Sequence, residues 1–171
     1  MTQRVNWLSR FRTAIMKISQ GMVLVSCFML AIILFFSVAD VAGRELFLHP
    51  IYGTWEIVSM AFVVCGSFAI GYTQLVKGHI QINIISDRLS PRGRSILFLF
   101  SYLAGITAST LVAWQGWLRM IVYFHKTLGS ETVTLGMPLW PFMLVFSLGF
   151  FWLSIVLLFD IYDCIIGAFK G

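Results

Sequence analysis

Residues 57–76 read IVSMAFVVCGSFAIGYTQLV, twenty positions without a charge. At about 1.5 Å per residue, a helix of this length reaches about 30 Å, the thickness of a bilayer's hydrocarbon core. Charges stand just outside it: Asp40, Arg44, Glu45 and Glu56 before, Lys77 and then Arg88, Arg92 and Arg94 after. The stretch predicts a membrane-spanning helix around which the other hydrophobic segments are arranged. Three more windows qualify as spans, Gly21–Ala39, Ser95–Leu118 and Trp140–Phe159.

Composition supports the same class. Hydrophobic residues make up 59% of the chain and charged residues 11%, with a mean hydropathy of +0.90. A soluble domain carries roughly twice that charged fraction, so lipid must take the apolar surface that water would reject. The expected fold is an all-α integral membrane protein, a single membrane domain over residues 1–171 with four transmembrane helices. Cys27, Cys65 and Cys164 lie within or beside spans and form no C-x-x-C pair, which gives neither a disulfide framework nor metal-ligand spacing. The net charge of +5 gathers at membrane edges rather than in a nucleic-acid-binding patch.

Those edges predict the orientation. The N-terminal tail, the connection between spans two and three, and the C-terminal tail together hold nine Lys and Arg residues, against three (Arg44, Arg119, Lys126) on the opposite side. The positive-inside rule then places both termini in the cytoplasm. A cleaved signal peptide ending at Ser37-Val38-Ala39 is the rival reading, but the apolar run exceeds the 7–15 residues of a signal core.

Taken in order, residues 3–20 place Trp7, Leu8, Phe11, Ala14, Ile15 and Ile18 on one face at the 3.6-residue period, with Arg12, Lys17 and Gln20 largely opposite. This predicts an amphipathic helix lying in the cytoplasmic interface, the alternative being a plain extension of span one. Asp40 and Arg44 stand at i, i+4, where they can pair on a helix. Glu56 falls in the first turn of span two, suited to capping or subunit docking rather than proton coupling, which calls for an acid nearer the bilayer centre. Residues 79–90, with Ile80, Ile82, Ile84, Ile85 and Leu89, predict a short amphipathic segment closed by Ser90-Pro91. In span three, Ser101, Gly105, Ser109 and Ala113 recur every four residues. Small residues at that spacing allow close approach of helices, either within the chain or to another subunit. Trp7, Phe11, Trp55, Trp114, Trp117 and Trp140 are the expected interface anchors.

No constellation points to catalysis, a cofactor or a metal. His49, His79 and His125 lie at span ends or in loops rather than facing one another within the bilayer, as a haem would require. The four span cores hold no Asp, Glu, Lys or Arg, so no proton or ion path is visible. Ionisable residues confined to the rims suit an accessory or scaffold subunit better than a pump.

Two stretches then carry a family resemblance. One runs from Arg44 through Pro50, Trp55 and Glu56 to Gly78-His79-Ile80 and Leu89-Ser90-Pro91. The other is Thr134-Leu135-Gly136-Met137-Pro138-Leu139-Trp140-Pro141, leading into a span with Gly149. In order and spacing they resemble the small membrane (DctQ-like) subunit of tripartite ATP-independent periplasmic (TRAP) transporters. Asn83, where the family often has Asp, and the Thr54-Trp55-Glu56 entry, where many members show paired acids, depart from the pattern. The resemblance implies a small subunit in the bacterial inner membrane, packed against a large elevator-type permease. A periplasmic substrate-binding protein delivers an organic acid, of dicarboxylate or sialic acid type, and sodium drives import. Arg44 and Glu56 are the expected polar subunit contacts, and Ser101, Gly105, Ser109 and Ala113 the expected packing positions. The competing readings are a homo-oligomeric channel or exporter and a membrane anchor of a redox enzyme.

Overall fold

The computed structural model describes residues 2–76, 91–125 and 130–169. They form four helices: α1 (Thr2–Phe47), α2 (Thr54–Leu75), α3 (Pro91–His125) and α4 (Trp140–Phe169). No strand occurs among the described residues beyond one isolated bridge, Glu131 with Pro138. The amphipathic segment expected at 79–90 lies outside the described residues.

Among the described residues, three stretches are long and apolar enough to cross a membrane: Arg12–Phe47, Thr54–Leu75 and Trp140–Tyr162. The expected span at Ser95–Leu118 lies within α3, which is not among them over its described residues. The proline signals hold locally: Pro91 opens α3 and Pro141 falls in the first turn of α4, positions where a missing N–H removes no helical hydrogen bond.

One expectation changes. Residues 3–20 and the first span do not separate into a surface helix and a membrane helix; they are one continuous α-helix of 46 residues. The junction contains no proline, and Gly21 alone weakens a helix by only about 1 kcal/mol. Buried residues also continue along one stripe across it, with Ile15, Ser19 and Ser26 at spacings of four and seven. At about 69 Å, α1 is more than twice the thickness of the hydrocarbon core, so part of it must lie beyond that core.

The spatial order differs from the chain order. Helix α1 packs on α2, α2 on α4, and α4 on α3, so the helices form a row α1–α2–α4–α3. The most buried side chains concentrate in α4, where Val156 is fully inaccessible and Leu153 and Leu157 flank it. Ala61 and Val64 of α2 and Ala113 of α3 are buried as well. The row brings the α1–α2 and α3–α4 connections to one end, here the loop end; the start of α1 and the end of α4 lie at the other.

Candidate functional site

At the loop end, two carboxylates fasten the connections. Asp40 is buried, and its Oδ2 accepts hydrogen bonds from Arg44 Nε at 2.9 Å and Nη2 at 2.7 Å, the expected i, i+4 pair. Its Oδ1 accepts the backbone N–H of Ile51 at 2.9 Å, a link that spacing alone does not reveal. Asp40 thereby holds the α1–α2 connection against the end of α1, while Arg44 keeps 62% of its side chain in the open. Leu48 closes α1 with φ of 55°, and His49 N–H reaches back to Gly43 O at 3.2 Å.

Glu56 acts across the chain. Its Oε1 accepts Thr134 N–H at 2.6 Å and its Oε2 accepts Leu135 N–H at 2.8 Å. One carboxylate in the first turn of α2 thus clamps the tip of the α3–α4 connection. That tip is preorganised: Thr132 N–H donates to Met137 O at 2.9 Å, Leu139 N–H to Ser130 O at 2.8 Å, and Met137 N–H to Thr132 Oγ1 at 3.0 Å. Gly136 turns the tip with φ of 63°. Gly53, the N-cap of α2 at φ 78°, leaves room for Leu135; a Cβ there would sit 2.5–2.7 Å from three of its side-chain carbons. The sequence segments 44–56 and 134–141 therefore meet in space through Glu56, Gly53 and Leu135.

Along the seams between helices, hydroxyls and glycines make the contacts. Ser26 of α1 donates to Cys65 O of α2 at 3.0 Å. Helices α2 and α4 come closest at Gly149, where an added Cβ would press on Ser67, 2.7 Å from its Cβ. One turn further along α2, Gly71 accommodates Trp152 of α4, whose Nε1–H crosses to Ser19 Oγ of α1 at 2.8 Å. Nearer the termini, Gln74 Nε2 donates to Asp160 Oδ2 at 2.7 Å. Between α3 and α4, the Ser109 and Ser154 hydroxyls lie 2.8 Å apart, Thr110 Oγ1 donates to Ser154 Oγ at 3.3 Å, and Ser147 Oγ donates to Ala113 O at 2.7 Å. No buried side-chain nitrogen or oxygen among the described residues lacks a partner, as expected where an unmet polar group in hydrocarbon would cost several kcal/mol.

The small-residue stripe of α3 divides accordingly. Ser109 and Ala113 are buried against α4, and Gly105 faces Leu157, 3.4 Å from where its Cβ would lie. Ser101 is exposed and donates to Leu97 O of its own helix at 3.0 Å. Of the aromatic anchors, Trp55, Trp114 and Trp117 are exposed, while Trp140 is half-buried with its ring edge-on to Phe124 at 5.5 Å. Trp7 and Phe11 belong to α1, but their side chains lie outside the described residues. His49 and His125 are exposed, and His79 lies outside the described residues.

Sequence reasoning missed Gly149 with Ser67, Trp152 with Ser19, and Gln74 with Asp160. Each carried a faint signal: a glycine, an indole N–H and a primary amide inside otherwise apolar spans, where such groups need a reason to be.

Among the described residues, this arrangement binds helices and loops to one another. Among curated proteins, none matches the chain. The family model described as the DctQ component of tripartite ATP-independent periplasmic transporters matches residues 33–166, from the middle of α1 almost to the end of α4. The chain belongs to this DctQ family of TRAP transporter components.

Proposed function

We propose that this chain is the small accessory subunit of a sodium-driven secondary importer of organic acids, of dicarboxylate or sialic acid type. It resides in the bacterial inner membrane and packs against a large elevator-type permease that works with a periplasmic substrate-binding protein. The observation that carries the reading is the open row of helices in a chain of this family. Among the described residues, helix α1 has neighbours on one side only, and Leu24, Phe28, Leu34 and Phe35 are exposed along it. In a bilayer that surface is available to lipid and to a partner's helices. The internal polar groups are already engaged in holding the row, which favours a wall over a conduit.

In this reading α3 is a fourth span and both termini are cytoplasmic, supported by the nine basic residues assigned to the terminal side. Arg44 and Ser101 remain open to a partner. Glu56, Gly105, Ser109 and Ala113 contribute by shaping the surface that is presented, since their own contacts lie within the chain. The chain carries no chemistry of its own, no cofactor and no nucleic-acid partner.

Gentle detergent extraction from the native host followed by native mass spectrometry tests the proposal. The expected species is a one-to-one complex with a much larger hydrophobic protein. Recovery of homo-oligomers alone, with transport by this chain reconstituted by itself, would replace the proposal with a small channel or exporter.

A further inference from the structure

Near the loop end, α3 and α4 leave a shallow apolar groove between them. Its walls are Leu111 and Val112 on one side and Met143 and Phe146 on the other. Its floor is Gly116, which is buried; a Cβ there would lie 3.0 Å from Phe146 Cδ1. At the mouth stand Gln115 and Arg119, one helical turn apart, both exposed and both without a hydrogen bond or ion pair among the described residues. Arg44, the other described arginine near this end, is by contrast already paired with Asp40.

The groove has a direction. From Leu111 to Arg119 it runs about 12 Å along α3, with apolar walls at the inner end and the guanidinium towards the loop end. Exposed Trp114 and Trp117 mark the same level as interfacial. A glycerophospholipid has the same polarity: its phosphate lies at the interface and its acyl chain points to the bilayer centre. Arginine suits the phosphate because its planar fork offers several N–H donors and keeps its charge, and Gln115 adds amide donors. A passing detergent or a second apolar helix would use the walls but leave the guanidinium unmatched.

We infer that the α3–α4 groove holds one phospholipid, its phosphate on Arg119 and Gln115 and an acyl chain over Gly116. The inference rests on the proposed membrane-spanning position of α3.

Native mass spectrometry from mixed micelles containing phosphatidylglycerol tests it on the full chain and its complexes, comparing wild type with Arg119→Gln, Leu111→Asn and, as a control, Arg44→Gln. One retained lipid is expected in wild type and in Arg44→Gln. Arg119→Gln should lower occupancy roughly tenfold, as the loss of a charge-assisted hydrogen bond implies, and Leu111→Asn should lower it as well. Equal retention in all four proteins, glycerol phosphate binding as well as the lipid does, or a lipid lost whenever a larger partner is bound would each overturn the inference. The same spectra report complex formation separately. A partner without retained lipid rejects only the lipid site, whereas Arg119-dependent lipid without a partner rejects only the accessory-subunit reading.

Discussion

Replacing Gly149 with alanine adds one methyl group at the point where α2 and α4 come closest. The new Cβ would lie 2.7 Å from Ser67 Cβ and 2.8 Å from the Ser67 carbonyl carbon, where ordinary contact begins at 3.4 Å. The nearest atom of all is the Ser67 carbonyl oxygen; two of the three nearest atoms are backbone, so no side chain can swing aside and the helices must separate to admit the methyl group. Overpacking of this kind costs about 1–3 kcal/mol. Separation also strains Gln74 to Asp160 on the same seam and the neighbouring bond from Trp152 of α4 to Ser19 of α1, each worth about 0.6 kcal/mol between membrane helices. Against this, alanine is the better helix former by about 1 kcal/mol. The expected net is a destabilisation of about 1–3 kcal/mol. Gly66→Ala supplies the comparison, because nothing lies within 4 Å of its added Cβ; there only the propensity gain of up to about 1 kcal/mol remains. Reversible unfolding by denaturing detergent, followed by circular dichroism, should place the two variants on opposite sides of wild type. A Gly149→Ala protein as stable as Gly66→Ala would refute the close approach of α2 and α4.

Two further perturbations test the other fastenings. Glu56→Gln keeps the size of the side chain but removes the charge that draws in the Thr134 and Leu135 N–H groups. Those two amides should exchange hydrogen at least about tenfold faster, while exchange within α2 is unchanged; protection equal to wild type would show that the clamp contributes nothing. Trp152→Phe keeps a ring over Gly71 but deletes the N–H that reaches Ser19. It should cost about 0.6–1.7 kcal/mol and loosen the N-terminal part of α1, read as faster proteolysis near Lys17; a larger loss on the α3–α4 side would contradict the assignment.

Much of this fold could be read because bilayer length and rim chemistry are written locally. Residues 57–76 announce a span by their length, Trp140-Pro141 announce a helix start, and Asp40 with Arg44 announce a pair by their spacing alone. What escaped depended on distance along the chain or on helix rotation. The partners of Glu56 lie 78 and 79 residues away, and a carboxylate in a first turn looks the same whether it caps its own helix or clamps a distant loop. Small residues are scattered through the expected spans, so the meeting of Ser67 with Gly149, rather than of some other pair, follows from how each helix is turned. The continuity of α1 was hidden for a related reason. A 3.6-residue stripe fits a surface helix and a buried one alike, and its inner neighbours, Trp152 and Cys65, belong to other helices.

The distribution of polar groups follows from the solvent at each level. At the loop end, where water reaches, full carboxylates serve as fasteners, and both Asp40 and Glu56 accept backbone N–H groups from connections that would otherwise hang free. Within the seams, where a charge would be expensive to hold, the same work falls to hydroxyls whose donors turn to nearby carbonyls, as Ser26 and Ser147 do. Towards the termini an amide and an acid, Gln74 and Asp160, reappear together. Each level thus ties neighbouring elements of the row with the strongest group its surroundings tolerate, and none leaves a buried polar atom among the described residues unmatched. A sheet of helices secured in this way is stiff across its seams and apolar on its exposed flanks. Those are the properties that the proposed role, a wall beside a moving permease, requires.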